Sequence, residues 1–186
     1  MRTILPAFAD FPKEGEIIGR LVAGYGELEF DLGLAVGWMT QNREVAMKVI
    51  FRAAGENQRI LMADALVRPT LKVGKVRTIF EKTIAAMHTC RKIRNQYAHS
   101  NWMPREGVLT FFDLQPMAAE HAPYFDGNLR PYPITIPTLE QQEDYFCYVS
   151  DCLTWLNFEG QLKAGKVPSN PVTQVPKERP EPPMHS

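Results

Sequence analysis

From Lys13 to Met39 no proline interrupts the chain, and Ile17, Ile18, Leu21, Val22, Tyr25, Leu28, Leu32, Val36 and Met39 recur at helical spacing. On a helix that turns about 100° per residue they share one face, with Glu16, Arg20, Glu27 and Asp31 roughly opposite. A helix of that length sets the scale of the fold, since whatever else packs must lie along it. Gly15, Gly19, Gly26, Gly33 and Gly37 fall in one line on the same helix. Each costs roughly 1 kcal/mol relative to alanine in a helix interior. The line therefore predicts close approach of another backbone, from this chain or from the same helix of a second copy. Glu29 points into the apolar arc and needs a partner there, because a carboxylate buried alone is costly.

Residues 43–54 and 57–73 read as two shorter helices broken near Gly55, with Pro69 kinking the second. Gly74 then punctuates before a long helix over about 75–99. Its apolar face is Val76, Ile79, Phe80, Ile84, Met87, Cys90, Ile93, Tyr97 and Ala98. Residues 108–114 and 133–136 alternate like strands and predict a small antiparallel hairpin. Thr138-Leu139-Glu140-Gln141 reads as a capping box that opens a last helix through about Lys163. Beyond it Pro168, Pro171, Pro176, Pro180, Pro182 and Pro183 stand in a polar context, the composition of a disordered tail. The fold class expected is all-α: an antiparallel helical bundle of four to five helices, with a small β-hairpin insertion and a disordered C-terminal tail. Residues 1–12, with Pro6 and Pro12, read as an N-terminal arm, 13–163 as the helical domain with its hairpin insertion at about 104–137, and 164–186 as the tail.

A chain of 186 residues that is 45% hydrophobic can bury a core, and 21 basic against 21 acidic residues give no net pull on nucleic acid or membrane. Charge is uneven along the chain, however. Between residues 59 and 105 stand Arg59, Arg68, Lys72, Lys75, Arg77, Lys82, Arg91, Lys92, Arg94 and Arg105, against only Asp64 and Glu81. This is the pattern of a phosphate-attracting surface or of a solvated helix face. Cys90, Cys147 and Cys152 form no C-x-x-C pair and leave an odd thiol, which suits a reducing compartment. No stretch nears the roughly 20 apolar residues needed to span a bilayer, and Pro6 cuts the apolar start too early for a secretory signal. The location expected is cytoplasmic, with no membrane contact.

The chemistry concentrates in Arg91-Lys92-Ile93-Arg94-Asn95-Gln96-Tyr97-Ala98-His99-Ser100-Asn101-Trp102, at the end of the long helix. Arg94 lies within the apolar arc and, like Glu29, requires a countercharge or a bound anion. Glu29 is the partner the two patterns suggest. His88, Lys92, Asn95 and His99 share a face, but they lack an acidic ligand and Lys92 would repel a cation, so no metal is expected. H-E-x-x-H, G-x-x-x-x-G-K and G-x-S-x-G are all absent.

Arg94, Asn95, three further residues and His99 resemble the R-N-x-x-x-H form of the HEPN superfamily motif, an arginine followed after four to six residues by a histidine. The resemblance covers this motif and the helices around it. It implies a small helical bundle, and many members of that family are metal-independent endoribonucleases that act as homodimers. Some members carry a tyrosine two positions after the histidine, where this chain has Asn101. The implied reaction is attack of a ribose 2′-hydroxyl on its own phosphate, without a cofactor. His99 would move the protons, as an imidazole that ordinarily titrates near neutrality can. Arg94 would neutralise the phosphorane, Asn95 would orient histidine or phosphate, and Arg77, Lys82, Arg91 and Lys92 would hold the RNA. The alternative is a non-catalytic interaction or dimerisation module, in which Arg94 is a buried structural ion and His99 a helix cap.

Overall fold

The computed structural model describes residues 4–113 and 131–184. In chain order the elements are α1 (Ala7–Asp10), α2 (Pro12–Met39), α3 (Arg43–Arg52), α4 (Glu56–Val67), a 3-10 turn (Arg68–Thr70), α5 (Lys75–Ala98), β1 (Ser100–Arg105), β2 (Val108–Asp113), β3 (Tyr132–Pro133) and α6 (Ile136–Lys163). The described residues are mostly helical, with one small antiparallel sheet in the order β1-β2-β3. None of these helices is long and apolar enough to cross a membrane. The chain divides into two compact units, residues 1–23, 92–144 and 182–186 forming one and 24–91 with 145–181 the other.

Local chemistry sets the helix ends. Pro12 opens α2, where its fixed φ suits the first turn and its missing N–H is not needed. Asn42 caps α3 by accepting the Val45 amide at 3.3 Å. The segment read as a kinked helix over 57–73 instead stops at Val67, and Pro69 sits in the 3-10 turn that follows. The last helix begins earlier than its capping box: Thr135 Oγ1 accepts the Thr138 amide at 3.4 Å, which makes Thr135, not Thr138, the cap of α6. Within the arm, residues 7–10 make one helical turn and are not fully extended.

In the first unit the hairpin differs from the one expected. Residues 108–113 pair with Tyr132–Pro133, not with the whole of the expected 133–136, since Ile136 already belongs to α6; their main partner is Ser100–Arg105, which leaves α5 and enters the sheet after a single residue. Pro104 hides this strand in the sequence. It is tolerated because β1 is an edge of the sheet, where a missing N–H breaks no ladder. Glu106 (φ 52°) and Gly107 (φ 76°) turn the hairpin, two successive positive φ angles that match the right-handed twist of the strands. Residues 114–130 of the expected insertion lie outside the described residues. Phe8, Trp102, Tyr97, Phe111 and Tyr132 stack in sequence around the helix-to-strand junction, with ring centroids 5.3–5.7 Å apart. Trp102 and Phe111 are thereby packing residues.

In the second unit the glycine line meets its own chain. A Cβ at Gly33 would lie 2.7 Å from Met47 Sδ, and one at Gly37 would lie 2.8 Å from Arg43 Cα, so both admit α3 against α2. Gly26 faces open space, as does Gly19 in the first unit. Gly160 of α6 is as tight, since its Cβ would stand 2.7 Å from Trp38 Cβ and 3.0 Å from the Trp38 carbonyl carbon. A backbone cannot swing aside as a side-chain tip can. Gly160→Ala is expected to cost about 1–3 kcal/mol despite alanine's better helix propensity. Thermal melting checks this, and an unchanged or raised melting temperature would disprove the close approach.

The tail is the largest departure from the sequence reading. From Ala164 to Met184 it forms no helix or strand, yet it is held as a strap. In the second unit Asn170 Nδ2 donates to Trp155 O at 3.2 Å and to Glu159 at 2.8 Å, Lys82 pairs with Glu178 at 2.5 Å, and Thr89 Oγ1 donates to Glu181 at 3.2 Å. In the first unit the buried Gln142 donates to Pro183 O at 2.9 Å. Proline forbids helix here but also lowers the entropy lost on docking, because its φ is already fixed.

Candidate functional site

The first unit carries the motif on the last turn of α5 and the junction to β1. Tyr97, one turn beyond Ile93, is buried on the core side and donates its hydroxyl to Gln142 at 2.5 Å. That bond and the aromatic stack fix the rotation of the helix end. Arg94 is half-buried and its Nη1 donates to Asn95 Oδ1 at 2.9 Å. Asn95 therefore orients the arginine, whereas the sequence had offered it to histidine or phosphate. The helix closes one residue before His99, whose amide still donates to Asn95 O at 3.2 Å. Ser100 Oγ caps the same turn by donating to Gln96 O. The imidazole of His99 is exposed, and it makes no hydrogen bond or ion pair among the described residues. Lys92 is exposed as well.

A guanidinium braced by an amide thus precedes by five residues a solvent-facing imidazole that lies just past a helix C-terminus. Such an end, with its unsatisfied carbonyls, favours positive charge. Arg94 is suited to hold an anionic oxygen and His99 to exchange a proton with solvent or a bound hydroxyl.

The second unit holds Glu29, Arg77, Lys82 and Arg91. Glu29 is 6% exposed and pairs with Arg59 Nη1 at 2.6 Å. The sequence reading counted Arg59 only among the cations and matched Glu29 with Arg94 instead; Arg59 also donates to Ala53 O at 3.3 Å and lies 5.5 Å from the Phe51 ring. Arg77 is bound to Glu81 at 3.0 Å, Glu81 also takes Arg68 at 2.7 Å, and Arg68 grips Asp64 through two nitrogens. Lys82 is engaged by Glu178 at 2.5 Å. The stretch that looked strongly basic is thus partly neutralised, by Asp64 and Glu81 within it and by Glu29 and Glu178 from outside it. Arg91 is half-buried, and its buried Nε has no hydrogen-bond partner among the described residues. Burial pushes the Tyr25 phenol up, with the Glu29 and Glu56 carboxylates adding to the shift. It does the same to the Cys90 and Cys152 thiols, which leaves them unsuited to act as nucleophiles. Among the described residues no three His, Cys, Asp or Glu side chains gather as metal ligands would.

No protein-family model, curated protein or solved structure matches the chain.

Proposed function

We propose that the protein is a HEPN-like, RNA-binding antiparallel helical bundle that acts in the cytoplasm as a homodimer and cleaves RNA without a metal. The observation that supports this reading is a half-buried Arg94, its guanidinium held by Asn95, followed five residues later by an exposed His99 just past the end of α5. In the reaction the ribose 2′-hydroxyl loses its proton to an imidazole and attacks the adjacent phosphorus. A pentacoordinate phosphorane forms, with its charge held by Arg94. The 5′-oxygen then leaves with a proton, and a 2′,3′-cyclic phosphate remains. His99 has no orienting side chain among the described residues, so the substrate or a second copy would complete its geometry. Incubation of pure protein with RNA in chelator, followed by analysis of the cut ends, tests the reading. Cyclic phosphate ends support it, and intact RNA refutes it.

The second reading, a non-catalytic interaction module, is favoured by the ion pairs that occupy Arg77 and Lys82. RNA titrations separate the two. Glu178→Gln releases Lys82 without touching the motif. RNA affinity should rise, and the slope of log affinity against log salt should steepen by about 0.7, the value for one added contact to single-stranded phosphate. An unchanged slope would place Lys82 outside any RNA interface.

A further inference from the structure

The second unit contains a cavity of about 480 Å³ between the segment that follows α4 and the last two turns of α6. Two glycines stand on its lining. Gly160 lets α6 close on the end of α2, and Gly74, with φ 152°, accepts the Thr78 amide at 3.1 Å immediately before α5 begins at Lys75. The gap left between these points is bridged by an extended segment rather than by a helix. Met39, Leu71 and Val76 give the cavity apolar walls. Val73, also on its lining, is 92% exposed, an aliphatic side chain with almost nothing on it.

Charge at the same cavity is one-sided. Lys72, Lys75 and Lys163 line it against a single acid, Glu159, which already accepts Asn170 at 2.8 Å. None of the three lysines forms an ion pair among the described residues, in contrast to Arg68, Arg77 and Lys82 elsewhere in this unit. Lys75 Nζ lies 5.5 Å from the Trp155 ring, which places its ammonium beside α6. An apolar hollow within the usual size range for small-molecule sites, edged by unanswered cations, matches a ligand with an apolar body and an anionic head. The body would replace water against Met39, Leu71 and Val76, and the head would relieve repulsion among the ammonium groups.

We propose that this cavity binds a medium-length alkyl chain bearing one carboxylate or phosphate head, with Lys72, Lys75 and Lys163 receiving the head. The cavity's lining shares no residue with the motif of Arg94 and His99, and its occupancy does not depend on any action on RNA. Calorimetric titration of the full chain with octanoate, octyl phosphate, 1-octanol, octylamine and inorganic phosphate tests it. Octanoate and octyl phosphate should each bind once and saturably, and whichever binds more tightly identifies the preferred head. Octanol, octylamine and inorganic phosphate should bind at least tenfold more weakly. Lys72→Glu combined with Lys163→Glu should weaken both anions at least tenfold while leaving the melting temperature near the parent's, since both lysines are exposed. Leu71→Trp should exclude the chain by filling the hollow from the extended segment. The proposal is overturned by absence of saturable binding, by equal binding of octanol or octylamine, by inorganic phosphate binding as well as octyl phosphate, or by binding that survives the double charge reversal.

Discussion

A His99→Ala variant should fold like the parent and lose most of its RNA cleavage, about 10²–10⁴-fold, the usual contribution of a general acid or base. The structure makes this substitution unusually clean. The imidazole is exposed and makes no hydrogen bond or ion pair among the described residues, so its removal should move stability by no more than about 0.5 kcal/mol. RNA affinity should stay nearly constant, because a proton-transfer group contributes little to ground-state binding. Under the proposed mechanism, a substrate with deoxyribose at the cut position should resist the parent protein fully, since the nucleophile is gone, whereas chelation should leave the rate unchanged. Arg94→Ala requires its melting temperature beside its rate, because the half-buried guanidinium also packs the helix end. A folded His99→Ala protein that cuts RNA at the parent rate would remove His99 from the mechanism and leave the interaction module.

The largest effect on stability is expected at Glu29 and Arg59. Their side chains are only 7% and 24% exposed, and the 2.6 Å bridge joins α2 to α4 within the second unit. Glu29→Leu alone leaves a part-buried guanidinium short of its countercharge, and Arg59→Met alone does the same to a buried carboxylate. Each should cost about 3–5 kcal/mol. Replacing both together should cost less than either, because hydrophobic side chains of similar size need no desolvated partner. Chemical denaturation of the four proteins in the cycle measures this. A double variant whose loss equals the sum of the singles would mean the two charges do not depend on each other.

The long helices were legible because their apolar residues repeat over many turns, and the bounds of α2 and α5 fall within a residue of those read from that period. What escaped the sequence was set by single local contacts. Pro104 and a Glu-Gly turn disguised β1, although an edge strand accommodates the first and two positive φ angles the second. Thr135 and Thr138 are both residue types that cap helices, and it is Thr135 whose hydroxyl accepts the Thr138 amide. At the site, Arg94, Asn95 and His99 were visible because they stand within six residues of each other at the end of one helix. The brace from Asn95 to Arg94 depends on a rotamer rather than on spacing. Arg59 and Glu178 were missed because their partners are far away in the chain, and charge counting along a window cannot register an acid that arrives from outside it.

The strap separates two properties that usually travel together. Its side chains and carbonyls hold it at Asn170, Glu178, Glu181 and Pro183, but from Val167 to Met184 the only main-chain amide that donates a hydrogen bond among the described residues is that of Val172, to Asn170 Oδ1 at 2.9 Å. Amide protons without such bonds exchange with solvent almost as in an unfolded peptide, however firmly the chain is placed. Deuterium uptake would therefore draw this segment as a loose end, with Val172 as its one slow position. Nuclear relaxation, which senses motion in place of bonding, would give order parameters close to those of rigid backbone.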